Sequence, residues 1–311
     1  GLNASGEVVQ RAKFRRETLL AFFASAEKQL VGMEACPGSQ WLARRLIAFG
    51  HDAKIIPARF VKPYVKSNKN DLVDAEAIAE AVTRPTMRFV TVRSTEQVDL
   101  QAMHRIRDRL IRTRTGLMNQ VRAFCLEYGL PMRRGPGAFH IDIRKHLENA
   151  DNELSGTMRR LLFDLLEDLD ALERRIKAAS KEIETLANQQ DETKRLLSIP
   201  GIGPLGATAI LAAAGSAKQF VRARDMAAWL GLTPAEYSTG SKQVLLGISK
   251  RGNGYVRRLL IHGARSCLMH LDRTSHALGR WISELEKRMH PNKVIVALAN
   301  KLARIAWAIL T

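Results

Sequence analysis

The sequence predicts an α/β layer followed by a mostly helical remainder. From residue 1 to about 95, short apolar runs alternate with segments of helical periodicity, which is typical of an α/β domain. From about 96 to 190 the chain is helical and highly charged, and it contains a heptad repeat of apolar residues. From 191 to 311, small-residue helices flank Gly-rich loops. We therefore predict three domains, 1–95, 96–190 and 191–311.

The first of these domains reads as a partly parallel sheet with connecting helices. Residues 1–6 resemble a turn between strands, so we expect a strand before residue 1. In parallel sheets, functional sites gather at the carboxyl ends of the strands. The predicted elements are strands near 7–14, 29–34, 53–56 and 88–93, and helices near 16–26, 38–49 and 70–82.

Three acidic residues stand where such a domain could bind a cation. Asn68–Glu76 reads as a helix start in which Asn70 caps, and Asp71 and Asp74 share one face because they are three residues apart. Glu34 closes a short apolar run that reads as a buried strand. Carboxylate oxygens are ligands for hard cations such as Mg²⁺. Acids in a first helical turn also complement the helix dipole without any metal, and this alternative stays open.

The charge of the chain indicates a polyanionic partner. Lys and Arg number 49 against 31 Asp and Glu, a formal charge of +18, and nucleic acid is the commonest partner of such proteins. No apolar run approaches the roughly 20 residues of a membrane-spanning helix. A predicted helix over 100–126 carries Arg105, Arg109 and Arg112, which we expect to contact phosphates. The alternative is a solvated helix face.

Beyond that helix, the sequence predicts a break and then a long amphipathic helix. Residues 129–146 are rich in Gly, Pro and Arg and read as a basic loop. The heptad repeat that follows could pair with the 100–126 helix or with another chain, and we favour an arm that builds an oligomer. Its apolar positions are Leu162, Leu165, Leu169, Leu172, Ile176, Ala179, Ile183 and Leu186.

Two Gly-rich segments of the last domain could bind phosphate. Ile199-Pro200-Gly201-Ile202-Gly203 opens a helix and resembles a helix-hairpin-helix motif, whose backbone N–H groups at Gly201 and Gly203 would face a phosphate. Tight packing between two helices explains the same glycines equally well.

The second segment is a Ser-rich and Gly-rich loop among cations. It contains Ser238 and Ser241, and Lys242, Lys250 and Arg251 flank it. A serine in such surroundings either attacks phosphorus or donates a hydrogen bond to a phosphate. The neighbouring sequence contains no histidine paired with an acid that would suggest a hydrolase triad.

Taken together, these motifs resemble the transposases of the IS110 insertion-sequence family (IS116/IS110/IS902 type), in particular its IS1111 branch. The resemblance covers nearly the whole chain, and the order and separation of the motifs make it specific. The motifs are Met33-Glu34-Ala35-Cys36, Lys69-Asn70-Asp71-Leu72-Val73-Asp74-Ala75, Ile199-Pro200-Gly201-Ile202-Gly203, Ser238-Thr239-Gly240 and Ile248-Ser249-Lys250-Arg251-Gly252-Asn253.

The resemblance implies two catalytic centres. One is an Asp-Glu-Asp-Asp metal site in an amino-terminal domain like the Holliday-junction resolvase RuvC, of the RNase H class. Glu34, Asp71 and Asp74 match its last three acids, and the first acid is expected on a strand upstream of residue 1, so we expect poor cleavage by the chain as given. The other centre is a nucleophilic serine in the carboxy-terminal domain, matched best by Ser238, with Ser241 as the fallback.

The resemblance also implies the partners of the reaction. Such proteins use Mg²⁺, join donor and target DNA under the guidance of a structured non-coding RNA, and assemble as dimers and tetramers in the bacterial cytoplasm. Two alternatives from other classes remain. One is a structure-selective RuvC-like nuclease whose serine loop only binds DNA, and the other is a non-catalytic, nucleic-acid-binding remnant of a transposase.

Overall fold

The computed structural model describes residues 1–66 and 70–311, and the chain divides into two compact units, Gly1–Thr95 and Glu96–Thr311. Within the described residues there are thirteen α-helices, one short 3₁₀ helix and four short strands. The architecture is therefore a mostly helical α/β one, as predicted. Residues 96–190 and 191–311, which the sequence analysis separated, lie in the same compact unit.

The first unit is built on a two-stranded parallel sheet. Strand β1 pairs with β2 so that Leu30 lies opposite Asp52 and Glu34 lies opposite Ile56. Helix α4 packs on β1, and its buried Ala77 and Ala81 belong to the same apolar cluster as Ile56. The elements are α1 Arg16–Ser25, β1 Leu30–Glu34, α2 Ser39–Ala48, β2 Asp52–Ile56, α3 Ala58–Val61, a 3₁₀ helix Lys62–Tyr64 and α4 Asp71–Val82.

Two of the four strands predicted in this unit, 7–14 and 88–93, are not formed. Residues 7–14 are all exposed and form only an isolated bridge between Leu2 and Val8. A half-buried strand needs a layer that covers its apolar face, and no such layer covers Val9, which is 65% exposed. Residues 88–93 form a single bridge, between Val90 and Ile55. The pairing does not continue because side chains of α2 bind the backbone of Thr91 and Arg93. Arg44 donates to the carbonyl of Arg93 at 2.9 Å, in place of a neighbouring strand.

The second unit is helical apart from one hairpin. Strands β3 and β4 are antiparallel, and the largest apolar cluster surrounds α9, α11 and α13. None of the described helices has the length and apolar character needed to cross a membrane. The elements are α5 Thr95–Glu127, α6 Pro136–Glu148, α7 Gly156–Ala187, α8 Asp191–Leu197, α9 Pro204–Ala214, α10 Ala223–Trp229, β3 Pro234–Glu236, β4 Leu245–Ile248, α11 Gly254–His270, α12 Ala277–Glu286 and α13 Pro291–Leu310.

The predicted basic loop over 129–146 is half wrong, because α6 begins at Pro136. Proline is favoured at the first position of a helix. Phe139 and Ile143, which are four residues apart, lie on one face of α6, and both are buried. Before α6, Arg133 forms a salt bridge with Asp142 at 2.6 Å. The hydrogen bonds from Arg133 lower the pKa of Asp142 to about 2. Part of the positive charge of this segment is therefore neutralised within the chain.

The heptad repeat lies on α7, as predicted, and part of it packs inside the chain. Every second residue of the repeat is buried, and the residues between them are half-buried. The buried ones are Leu162, Leu169, Ile176 and Ile183. The cluster that contains Leu162 and Leu169 also contains Met118, Val121 and Cys125 of α5. Of the two pairings left open by the sequence, the intrachain one is therefore present, and an oligomer-building role of α7 stays a prediction.

A buried histidine connects three helices of this unit. The Nδ1 and Nε2 atoms of His104 lie 3.0 Å from the Tyr255 hydroxyl and 3.0 Å from Thr208 Oγ1. Because Thr208 donates its own proton to the carbonyl of Pro204 at 2.6 Å, Nε2 is the donor and Nδ1 accepts from Tyr255. Burial, with a smaller effect of nearby Arg107, lowers the pKa of His104 to about 4. The imidazole is thus a neutral structural link between α5, α9 and α11.

Candidate functional site

The three predicted acids lie at the ends of β1 and α4. Glu34 is the last residue of β1 and is half-buried. Asp71 is the first residue of α4 and is exposed, and Asp74 is half-buried one turn later. The predicted cap is confirmed, since the Asn70 side chain accepts a hydrogen bond from the Leu72 N–H at 2.9 Å. Asn68 and Lys69, the first residues of the predicted stretch, lie outside the described residues.

The chemistry of these acids fits a divalent cation. Among the described residues, no ion-pair partner neutralises Glu34, Asp71 or Asp74, whereas Glu80 of the same helix pairs with Arg84 at 2.7 Å. Carboxylate oxygens are the donors that a hard cation prefers. The described residues contain no group of three His, Cys, Asp or Glu side chains placed to hold a metal ion. A Mg²⁺ site formed by these acids therefore stays a prediction.

Ser238 lies on the exposed β3–β4 hairpin, two residues after the end of β3. The Tyr237 N–H donates to the Val244 carbonyl at 2.9 Å, and Thr239 and Lys242 bridge the tip. The Ser238 hydroxyl donates to Glu236 Oε1 at 2.6 Å and accepts from the Val244 N–H at 3.2 Å. Sequence reasoning missed Glu236, although a spacing of two residues along a strand puts both side chains on one face.

The basic loop before α11 is fixed at the base of this hairpin. The Ser249 N–H donates to the Thr233 carbonyl at 2.9 Å, and the Lys250 N–H donates to the Gly231 carbonyl at 3.2 Å. Lys250 and Arg251 remain exposed, as does Lys242 on the hairpin. Lys242 therefore lies on the same hairpin as the exposed serine, and Lys250 and Arg251 lie at the base of that hairpin. Exposed positive charge of this kind attracts a phosphate.

The two glycines of the helix-hairpin-helix-like motif have different surroundings. Gly201, with φ +84°, is packed so tightly that a Cβ atom there would lie 2.7 Å from the Gly263 carbonyl oxygen of α11. Packing between two segments therefore accounts for Gly201, which is the alternative that the sequence left open. Gly203 is exposed and has open space where a Cβ would lie. A phosphate contact at Gly201 and Gly203 stays a prediction.

The arginines predicted to contact phosphates are exposed on α5, but they are not equivalent. Arg105 and Arg109 have no acidic partner among the described residues. Arg112, in contrast, pairs with Asp108 at 2.9 Å. The free positive charge of this helix face therefore comes mainly from Arg105 and Arg109.

We expect Arg105→Gln and Arg109→Gln together to lower the slope of log affinity against log salt by roughly two units, because each lost phosphate contact removes about one. Arg112→Gln should have a smaller effect, since Asp108 already partly neutralises this arginine. DNA binding measured at several salt concentrations tests this. Arg160→Gln, which removes an exposed arginine of α7 paired with Asp164, is the control. An unchanged slope in the double variant would mean that this face is only solvated.

Comparison with protein families links both regions to transposases. A family model described as "Transposase IS116/IS110/IS902 family" matches residues 193–279, which include Ser238 and the basic loop. A DEDD transposase model of the IS110 type matches residues 2–129, which include Glu34, Asp71 and Asp74. The second match supports a divalent metal cofactor without specifying the metal.

Curated relatives align along the whole chain. A probable family 20 transposase of Pseudomonas aeruginosa is 44% identical over 100% of this chain and 92% of its own length. The transposase for insertion sequence element IS1328 of Yersinia enterocolitica is 42% identical over 98% of this chain and 91% of its own length. The transposase for IS1111A of Coxiella burnetii is 41% identical over 100% of this chain and 85% of its own length.

These alignments confirm the resemblance that the sequence motifs predicted. The sequence identity to each relative is 41% or more, which is high enough over this length to show membership of one family. The alignments leave almost none of this chain unmatched. DNA is accordingly the substrate. The chain belongs to the IS116/IS110/IS902 family of insertion-sequence transposases.

Proposed function

We propose that this transposase cuts and rejoins DNA through a covalent bond between Ser238 and a DNA phosphate. The observation that carries the proposal is the position of the Ser238 hydroxyl. It lies on an exposed hairpin, it is oriented by two hydrogen bonds, and the hairpin and its base carry three exposed cations. A serine attacking phosphorus needs an accessible and oriented hydroxyl and positive charge near the phosphate oxygens.

The surroundings favour Ser238 over Ser241 as the nucleophile. Both residues are exposed. Ser241 directly precedes Lys242, and Ser238 lies four residues before it. Among the described residues, however, the Ser241 side chain has no hydrogen-bond partner, whereas the Ser238 hydroxyl is held on two sides. An oriented nucleophile loses less freedom when it reaches the transition state.

Glu34, Asp71 and Asp74 would hold the metal cofactor in this proposal. When bound, Mg²⁺ neutralises developing negative charge on a scissile phosphate. The residues themselves contribute anionic oxygens from a strand end and a helix start, and no described cation competes for them. An amino-terminal domain of the RNase H class, with a RuvC-like site, belongs to the same proposal and is consistent with the parallel sheet and its packed helix.

The proposed partners are donor and target DNA, a guide RNA and further copies of the chain. The formal charge of +18 and the exposed arginines of α5 support binding of more than one nucleic-acid strand. Leu165 packs against the internal cluster of α5 and α7, and the other half-buried heptad positions, Leu172, Ala179 and Leu186, would serve as the coiled-coil contact between copies. The guide RNA rests on the family resemblance.

Trapping of a protein–DNA adduct tests the proposed chemistry. The protein is incubated with guide RNA, labelled donor and target DNA and Mg²⁺, then denatured, and covalent DNA is detected by its retarded migration. We expect an adduct with the wild type, none with Ser238→Ala and a reduced amount with Ser241→Ala.

The same assay separates the alternatives. Cleavage without an adduct would identify a nuclease that uses water, and binding without cleavage would identify a non-catalytic nucleic-acid-binding protein. An adduct peptide that maps to Ser241 would overturn the assignment of Ser238.

A further inference from the structure

The side chain that accepts the hydrogen bond of the proposed nucleophile is a carboxylate that the family motifs do not include. We propose that Glu236 is the proton acceptor that activates Ser238. This inference rests on the proposed function, because it assigns a role only if Ser238 attacks phosphorus. It names a second catalytic group in the hairpin, separate from the acids of the first unit.

The contact between the two side chains has the geometry of a proton transfer. The Ser238 hydroxyl donates to Glu236 Oε1 at 2.6 Å, within the range of hydrogen bonds from a hydroxyl to a carboxylate. A general base must lie within hydrogen-bond reach of the proton that it removes. Among the described residues, no other acidic or histidine side chain is bonded to this hydroxyl.

The second hydrogen bond of Ser238 leaves one lone pair of Oγ available. A hydroxyl oxygen has one proton and two lone pairs. The proton points to Glu236, and the Val244 N–H at 3.2 Å occupies one lone pair. The remaining lone pair can approach phosphorus, and the two hydrogen bonds restrict rotation of the side chain.

The hairpin itself maintains this arrangement. Glu236 is the last residue of β3 and pairs with Leu245, while Tyr237 is bonded to Val244 across the hairpin. Because Glu236 and Ser238 are two residues apart in extended chain, their side chains lie on the same face. Gln243 also donates to Glu236 Oε1, but this contact is long, at 3.4 Å, so the carboxylate is held mainly by the strand and by Ser238.

The proposed step is reversible. As Ser238 Oγ forms its bond to phosphorus, the hydroxyl proton moves to the Glu236 carboxylate. The bond from phosphorus to the leaving deoxyribose oxygen breaks, and that oxygen takes a proton from water. In strand exchange a deoxyribose hydroxyl attacks the phosphoserine and loses its proton to hydroxide from water. The bond from phosphorus to Ser238 Oγ breaks, and Glu236 returns its proton to the leaving serine.

The test is Glu236→Gln, with adduct formation and DNA affinity measured side by side. Glutamine has the same shape and keeps an oxygen that accepts the Ser238 hydrogen bond, but it is not a base. We expect adduct formation to slow about 100-fold, as for loss of a general base, with DNA affinity unchanged within about twofold. The residual rate should rise about tenfold per pH unit between about pH 7 and about pH 9, because hydroxide must then remove the proton.

Two matched variants separate proton transfer from a merely structural role. Glu236→Asp keeps a carboxylate on a shorter side chain and should form the adduct at least about tenfold faster than Glu236→Gln. Gln243→Ala removes the other partner of Glu236 and should stay within about threefold of the wild type, since its contact is long.

Each outcome decides between the two proposals. A Glu236→Gln rate within about threefold of the wild type, or equal loss in the Gln and Asp variants, would overturn the role of Glu236 alone. Adduct formation by Ser238→Ala, or none by the wild type, would instead overturn the proposed function, and the role of Glu236 with it.

Discussion

Asp74→Asn is expected to lower Mg²⁺-dependent DNA cleavage by about a thousandfold or more, because an amide of the same size cannot supply an anionic oxygen to a divalent cation. The fold should survive, since no described ion pair involves Asp74 and the cap at Asn70 is untouched. The stability cost is the lost interaction with the helix dipole, about 0.3–1 kcal/mol.

Cleavage and metal binding are measured on the same preparations. Mn²⁺ can replace Mg²⁺ in oxygen sites, and its binding is measured by electron paramagnetic resonance. We expect Mn²⁺ to bind Asp74→Asn more weakly than the wild type. The control is Glu80→Gln, the same charge change on the same helix at a residue that pairs with Arg84. Cleavage by Asp74→Asn at close to the wild-type rate would remove this residue from the proposed metal site.

Gly252→Ala is expected to destabilise the second unit by about 3 kcal/mol or more, because a side chain cannot fit at this position. Gly252 has φ +71°, and a Cβ atom there would lie 1.8 Å from the carbonyl oxygen of Trp229. The backbone of the basic loop must therefore move away from the end of α10. Since Lys250 and Arg251 belong to this loop, DNA affinity should fall as well.

Denaturant unfolding measures the change in the free energy of unfolding, and Gly247→Ala is its matched control. Gly247 lies in β4, and a Cβ atom there would meet no other atom within 4 Å. This control should change the free energy of unfolding by about 0.5 kcal/mol or less. Equal stability of the two variants would show that the loop adapts to a side chain at residue 252.

The sequence by itself determined the features that depend on neighbouring residues. The helices α4, α5 and α7 follow from apolar periodicity, and the cap of α4 follows from Asn70 beside two acids. Strands β1 and β2 follow from short apolar runs. The family followed from motif order alone. For these helices and strands the deciding interactions lie within a few residues of the chain, where local patterns are informative.

Tertiary structure alone decided what depends on residues far apart in the chain. Residues 88–93 are not a strand because Gln40 and Arg44 of α2 bind their backbone. Gly201 packs against Gly263 of α11, and Arg258 of α11 forms an ion pair with Asp108 of α5. Within the candidate site, the cross-strand N–H of Val244 orients Ser238 toward Glu236. Hydrogen bonds, ion pairs and close packing between distant segments form only after the chain has folded, so no local pattern reveals which partners meet.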